Sequence, residues 1–138
     1  MNTVVTEIPD LASELPPDAE AVPDWLEHAL QVPREEGWVD SGGCAIHYFR
    51  WGNPENPGLL LMHGFLAHAR CFAFIAPFLA ENYHVVAFDL SGMGDSGVRE
   101  HYSDAVRAAE VEDVARATGL FEHEVKPVVI AHSYGGHV

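Results

Sequence analysis

Residues 128–136 read Val-Val-Ile-Ala-His-Ser-Tyr-Gly-Gly. The first four form an uninterrupted apolar run typical of a buried strand, and Ser133 follows after one polar residue. Ala131 and Gly135, two positions before and after Ser133, are small, as a sharp and strained strand-to-helix turn requires. The spacing therefore predicts an elbow that exposes the Ser133 oxygen at a helix N-terminus, where the dipole favours developing negative charge.

Two similar apolar runs lie upstream, at residues 59–62 and 85–88, and each is predicted to be a buried strand. Before them, two strand-like segments flank the turn sequence Asp-Ser-Gly-Gly at residues 40–43, which predicts an antiparallel hairpin. Buried strands that alternate with amphipathic helices indicate a parallel sheet covered on both faces. Residues 37–138 are therefore predicted to be an α/β unit, an antiparallel hairpin followed by a parallel β-α-β-α-β arrangement that ends at the elbow.

The segments between the buried runs carry helical spacing. Apolar residues at positions 72, 75 and 79 predict one helix that ends near Asn82. A second helix is predicted to begin at Ser103, as its cap, and to stop at Gly119. Its inward side is predicted to consist of Val106, Val111, Val114 and Thr118.

Residues 1–36 differ from the rest of the chain in charge. They hold nine acidic residues and one basic residue, so that −8 of the net −14 falls there. They are predicted to be a solvated leader, separate from the domain of residues 37–138, and residues 1–23, with four prolines and little apolar periodicity, are predicted to be a flexible arm. A short helix is predicted late in the leader, with Asp24 as its cap and with Trp25, Ala29 and Leu30 on one side.

The composition limits the partners and the location that can be expected. A net charge of −14 repels nucleic-acid backbones and anionic lipid surfaces, so neither partner is expected. No apolar run approaches the length of a transmembrane helix, and the N-terminus lacks the pattern of a secretory signal. Cys44 and Cys71 are interpreted as reduced thiols of a cytoplasmic protein, with a bridge between them left open. The sequence does not indicate an oligomeric state.

A serine attacks an acyl group when a base takes its proton and when donors stabilise the resulting oxyanion. One donor is predicted to be the backbone N–H of Tyr134, directly after Ser133. The second is predicted in the loop after residue 62, where Gly64 lets the backbone turn so that the Phe65 N–H points at the same position. His63 is predicted to hold this loop by hydrogen bonds.

Three motifs, each closing a predicted strand, resemble those of the α/β-hydrolase family. They are His63-Gly64-Phe65, the turn at residues 89–97, and the elbow at residues 131–136. The resemblance covers residues 37–138 and implies the N-terminal half of that fold, with the middle turn shaping the active-site wall.

Within the family, the pattern looks most like the cap-bearing group of esterases, lipases, C–C-bond hydrolases and epoxide hydrolases. Ser133 at the apex argues against epoxide hydrolases and haloalkane dehalogenases, which use an aspartate there. Ala131 departs from the glycine that is usual at its position, which tightens the elbow without abolishing it.

The family's catalytic triad is completed after the nucleophile, by an Asp or Glu and then a His. Five residues follow Ser133, so the chain is predicted to be an incomplete fragment that lacks both groups, is inactive alone and leaves its last strand as an apolar edge. His137 is not expected to be the base because its helix leads away from the apex, and His132 is expected to pack under the elbow.

The leading interpretation is a serine hydrolase that acts on a small ester or related acyl bond through Ser133, without a metal or cofactor. A non-catalytic binding module or inactive fragment, and haloperoxidase or C–C-hydrolase chemistry on the same elbow, are kept as alternatives. Asp89 and Asp95 are predicted to accept backbone N–H bonds in their turn. Six other histidines lack metal-ligand spacing and are expected at the surface or partly buried: His28, His47, His68, His84, His101 and His123.

Overall fold

A mixed six-stranded sheet organises the part of the chain that the computed structural model describes, residues 3–5 and 22–138. The spatial order is β1-β2-β3-β5-β4-β6. Strands β1, β2 and β3 are successively antiparallel, β3 is antiparallel to β5, and β4 is parallel to both β5 and β6. The predicted hairpin and parallel unit are therefore confirmed. The strands are β1 (Thr3–Val5), β2 (Arg34–Ser41), β3 (Cys44–Trp51), β4 (Gly58–Met62), β5 (His84–Phe88) and β6 (Val128–Ala131).

The register of the parallel strands brings their carboxyl ends to one edge of the sheet. Met62, the last residue of β4, pairs with Phe88 on one side and with Ala131 on the other. The residues that follow these three strands therefore meet at a single edge, which is where open α/β sheets bind ligands.

The helices pack on both faces, and their bounds differ in part from those predicted. The helices are α1 (Asp24–Gln31), α2 (Ala76–Leu79) and α3 (Asp104–Ala117), and a 3₁₀ turn covers Ala69–Phe72. Asp24 is not the cap of α1, because Pro23 occupies that position and Asp24 lies in the first turn. The helix predicted around positions 72–79 is split, because Pro77 fits a first helical turn but cannot continue a helix from before it. None of the helices in the described ranges is long and apolar enough to cross a membrane.

Helix α3 begins and ends as predicted, and its inward face is confirmed in part, because Val114 and Thr118 are buried and Val111 packs against the apolar core. The Ser103 hydroxyl accepts the Val106 N–H at 3.3 Å, and Gly119 takes a φ of +78° after the helix. Val106 and Val111 are only partly buried. The inward face also carries Arg107 and Glu110, which neutralise each other. The buried residues of α3 and its C-terminal cap are Arg107, Glu110, Val114, Ala115 and Thr118.

Two apolar layers enclose the central strands. One layer contains Leu60, Val86 and Val114 of α3, and the other contains Leu59, Val85 and Ala76 of α2. Strands β4 and β5 are buried at every position, as their continuous apolar runs predict. Strand β6 is different, because Val128, Val129 and Ile130 remain 47–52% exposed along its outer edge.

The sheet extends into the predicted leader. Strand β2 begins at Arg34, three residues before the predicted boundary at residue 37, and β1 pairs with it through Glu35 and its neighbours. Glu35 pairs with Arg50 and Glu36 with His47, both on β3, so these acids are part of the folded sheet. Most of the predicted flexible arm, residues 6–21, lies outside the described residues. Cys44 is buried and Cys71 exposed, and both are free thiols.

Candidate active site

A sharp turn follows β6 and carries Ser133 at its apex. Ser133 adopts a φ of +51°, in the left-handed region that non-glycine residues rarely enter. The turn continues as a 3₁₀ segment, Ser133–Gly136, closed by a hydrogen bond from the Gly135 N–H to the His132 carbonyl at 3.0 Å. Strain of this kind is maintained where the surrounding structure fixes it, and it leaves the Ser133 side chain exposed to solvent.

Close backbone packing explains why Gly135 stands in this turn. A Cβ at that position would lie 2.7 Å from the His63 carbonyl oxygen and 3.0 Å from the Met62 side chain. His132, predicted to pack under the elbow, is exposed instead. The space beneath the turn is already filled by residues 62–63, so the His132 ring lies toward Gly64, where a Cβ would approach its Nδ1 to 2.8 Å.

The loop that follows β4 is held by His63. The ring is fully buried, its Nε2 accepts the Leu90 N–H at 3.0 Å, and its Nδ1 therefore carries the proton donated to the Gly64 carbonyl at 2.7 Å. Burial lowers the pKa of His63, which favours the neutral ring that this pattern needs. The hydrogen bonds predicted for His63 are thus present. A further bond from the Ala67 N–H to the Gly64 carbonyl at 3.2 Å closes the loop on itself.

The structure brings this loop and the elbow together. A Cβ at Gly64 would lie 3.4 Å from the Cβ of Ser133, so the two backbones nearly touch there. The rings of Phe65 and Tyr134 meet edge to face with centroids 5.7 Å apart. Phe65, Tyr134, Gly64 and Ser133 therefore lie close together, where the loop after β4 meets the elbow.

Asp89 anchors the turn after β5. Its carboxylate accepts the Ala69 N–H at 2.5 Å, the Asp95 N–H at 2.9 Å and His47 Nδ1 at 2.8 Å. Burial alone would raise the pKa of Asp89, but these hydrogen bonds outweigh it and hold the pKa below its ordinary value. The role predicted for Asp89 is confirmed, whereas the Asp95 carboxylate pairs with Arg70 at 2.7 Å instead of with backbone.

His47 is buried and paired, in contrast to the expected surface or partly buried position. Its Nδ1 contacts Asp89 and its Nε2 contacts Glu36 Oε1 at 2.7 Å. Burial works against the charged ring, but the two carboxylates outweigh it and raise the pKa of His47. The sequence signal is a histidine within the apolar strand at residues 44–51, but its partners lie 11 and 42 positions away.

The same side chains include a geometry that could hold a cation. Ligand atoms of Glu36, His47 and Asp95 lie within 4.8 Å of one another. Both His47 nitrogens are hydrogen-bonded to carboxylates, and Asp95 is paired with Arg70, so these groups satisfy one another without an ion.

A second buried charge cluster lies beneath the turn on the α3 side. Glu110 is fully buried and accepts from Arg99 Nε at 2.7 Å, from Arg107 Nη1 at 3.2 Å, and from both the backbone and the hydroxyl of Ser91. The Arg107 guanidinium also lies 5.9 Å from the Tyr134 ring. This cluster is not among the features predicted from the sequence. The sequence feature that could have indicated it is a pair of opposite charges three positions apart, Arg107 and Glu110, on the inward side of α3.

The remaining histidines do not supply a base for Ser133. His137 is exposed and its Nε2 faces Asp104 at 3.8 Å, toward the start of α3. His84 is fully buried, contrary to expectation, and neither of its ring nitrogens has a hydrogen-bond partner among the residues that the structure describes. Within residues 22–138, no histidine nitrogen hydrogen-bonds Ser133.

Comparisons with known proteins agree with this architecture. The model of the alpha/beta hydrolase family matches residues 59–138. The probable oxidoreductase EphD of Mycobacterium tuberculosis is 32% identical over 98 residues, which are 70% of this chain and 17% of EphD. A fluoroacetate dehalogenase of a Burkholderia species is 33% identical over 108 residues, which are 74% of this chain and 34% of the enzyme.

A solved structure shows the same likeness in three dimensions. The 2-hydroxy-6-oxo-6-phenylhexa-2,4-dienoate hydrolase BphD from Rhodococcus sp. strain RHA1 superposes with a TM-score of 0.65 at 32% identity, covering 75% of this chain and 38% of BphD. This protein belongs to the α/β-hydrolase family. The matched region spans between about a sixth and two fifths of the length of these three relatives.

Proposed function

We propose that the protein carrying this chain is a serine hydrolase that cleaves a small ester or related acyl bond by attack of Ser133. The observation that carries the proposal is the left-handed φ of +51° at an exposed serine, with the Gly64 backbone close beside it. Backbone strain is maintained at few positions in a fold, and functional sites are where such positions cluster.

In the proposed reaction, the Ser133 oxygen forms a bond to the acyl carbonyl carbon while its proton passes to a base. The carbonyl oxygen becomes an oxyanion that accepts hydrogen bonds from the Tyr134 and Phe65 N–H groups. When this intermediate collapses, the C–O bond to the leaving group breaks, and the departing alkoxide takes the proton from the base and leaves as the alcohol. Water then hydrolyses the acyl-enzyme, which releases the acid and restores Ser133. The base and its acidic partner are expected after Ser133 in the full-length protein, since the family's chain order is Ser, acid, His.

Active-site labelling of the full-length protein tests this proposal. A fluorophosphonate probe is expected to modify the wild type and to leave Ser133→Ala unmodified. Ser103→Ala is the matched control, because Ser103 is an exposed serine that only caps α3. Labelling that survives Ser133→Ala, or a folded wild type that takes no label, would refute the assignment.

Cleavage of a C–C bond next to a ketone is the second candidate, and the likeness to BphD favours it. Dehalogenation is a third candidate because of the likeness to a fluoroacetate dehalogenase. Ser133 argues against it, because the haloalkane dehalogenases of the resembled family use an aspartate at the apex. An assay panel that follows ester hydrolysis, C–C-bond cleavage and fluoride release from fluoroacetate separates the three candidate reactions.

The free thiols of Cys44 and Cys71 support a cytoplasmic location for this hydrolase.

A further inference from the structure

The loop at residues 64–68 is fastened at both ends to the same short segment. At its start, His63 accepts the Leu90 N–H at 3.0 Å. At its end, the Ala69 N–H donates to the Asp89 carboxylate at 2.5 Å. Because Asp89 and Leu90 are adjacent, one short segment holds both ends of the loop. A shift of either end would change the direction of the Phe65 N–H.

The anchor at Asp89 depends in turn on His47. Both side chains are buried, so without His47 the Asp89 charge would be compensated only by the Ala69 and Asp95 N–H groups, and the carboxylate would be free to shift or to take up a proton. His47 Nδ1 supplies that donor at 2.8 Å, while its Nε2 is held by Glu36 at 2.7 Å. The Trp38 ring lies 5.0 Å from the imidazole and Phe49 meets it edge-on at 4.7 Å, so the ring has little freedom to turn.

We propose that His47 is a positioning residue for the oxyanion loop, acting through Asp89 on the Ala69 amide and so on the Phe65 N–H. The inference rests on the proposed function for its catalytic meaning, but the anchoring itself is a property of the fold. His47 lies on β3 and touches no reacting atom, so its effect is on geometry alone.

The charges around His47 predict a pH dependence. It faces Glu36 from β2 and Asp89 and Asp95 from the turn. Arg70, in the 3₁₀ turn, is paired with Asp95, and Arg34 of β2 interacts electrostatically with Glu36. The carboxylates raise the pKa of His47, so the ring loses its second proton at a higher pH than an ordinary histidine does. One ring nitrogen then faces a carboxylate without a proton between them, and the anchor weakens.

Two measurements on the full-length protein test the proposal together. Amide hydrogen exchange reports the anchoring, and the rate constant for fluorophosphonate labelling reports its effect on the reaction. In His47→Gln, exchange at residues 64–69 is expected to rise at least tenfold while β5 keeps its protection, and labelling is expected to slow roughly 10- to 100-fold, at most the lower end of the loss of about 100- to 1,000-fold known for removing one oxyanion donor. Glu36→Gln keeps the contact between His47 and Asp89 but removes one of the two carboxylates that raise the pKa of His47. The decline of labelling at alkaline pH is therefore expected to move to lower pH.

His84→Gln is the matched control. His84 is also a fully buried histidine of the sheet, but it begins β5 at the end opposite Asp89. It is expected to leave exchange at residues 64–69 and the labelling rate close to wild type. Unchanged loop exchange in His47→Gln, or an equal rise in β5 and in the His84 variant, would overturn the proposal. A wild type that takes no label would refute the proposed function alone, because exchange measures the anchoring without any reaction.

Discussion

Glu110 offers the sharpest test of how buried charge stabilises this fold. Its carboxylate has no exposure to solvent and balances two guanidinium groups, Arg99 at 2.7 Å and Arg107 at 3.2 Å. Glu110→Gln keeps the size of the side chain but removes the charge and turns an NH₂ group toward donors. The Ser91 N–H and Arg107 then lose an acceptor in a site that water does not reach.

The expected loss follows from the burial of the partners. Removing one member of a buried ion pair costs about 3–5 kcal/mol, because the partner's charge is left without compensation. Domains have total stabilities of roughly 5–15 kcal/mol, so this one substitution removes at least about a fifth of the total. Glu112→Gln is the control on the same helix, where Glu112 pairs with Arg116 at 2.6 Å but both side chains are more than 60% exposed. Its expected cost is about 0.3–0.5 kcal/mol.

Urea unfolding of the two variants and the wild type measures this difference. The midpoint is expected to fall strongly in Glu110→Gln and by little in Glu112→Gln, with the denaturant slope unchanged in both. If the two variants lose the same free energy to within about 0.5 kcal/mol, a cost set by desolvation is the wrong account of this cluster.

Two further predictions concern the elbow and the buried histidines. Gly135→Ala is expected to cost about 1–3 kcal/mol and to abolish Ser133 labelling, since its Cβ would lie 2.7 Å from the His63 carbonyl. Gly136→Ala, with its nearest contact at 3.9 Å, is expected to fold and label normally, and equal losses in both would contradict the packing argument. Burial lowers the pKa of His84 in the folded state, so the unfolded chain binds the extra proton and stability falls as pH drops below about 6.5. His84→Leu is expected to flatten the fall in unfolding free energy between about pH 7 and pH 5, and an unaltered slope would show that His84 does not titrate on unfolding.

The strands of the parallel unit were predictable because their signal is local. Residues 59–62, 85–88 and 128–131 are continuous apolar runs, and the structure places β4, β5 and β6 at these positions to within one residue. A strand covered on both faces has no polar side to present, so its composition alone marks it. The polar residues that end each run mark where the chain leaves the core.

The predictions that were wrong depend on partners far along the chain. The acidic stretch around Glu36 predicts a solvated leader. In the structure Glu36 lies in β2, where its carboxylate contacts His47 on β3. Arg107 and Glu110 fall on the inward side of α3 because they neutralise each other and Ser91 fills their remaining hydrogen bonds. Apolar periodicity cannot reveal such a face, since it scores both residues as outward.

The residues of the candidate site divide in the same way, into those with a local sequence signal and those whose partners lie far along the chain. Ser133, Gly64 and Gly135 were predictable because each meets a demand of the backbone that shows in neighbouring residues: a strained apex, a tight loop and a contact at 2.7 Å. Their spatial meeting followed from the rule that parallel strands end at one edge, which the pairing of Met62 with Phe88 and Ala131 fulfils. The residues that hold the loop have no such local signal, because Asp89 binds the Ala69 N–H across 20 residues and is itself bound by His47 across 42 residues. A motif can therefore identify the residues that we propose for the chemistry, while the residues that we propose to position them are revealed only by the fold.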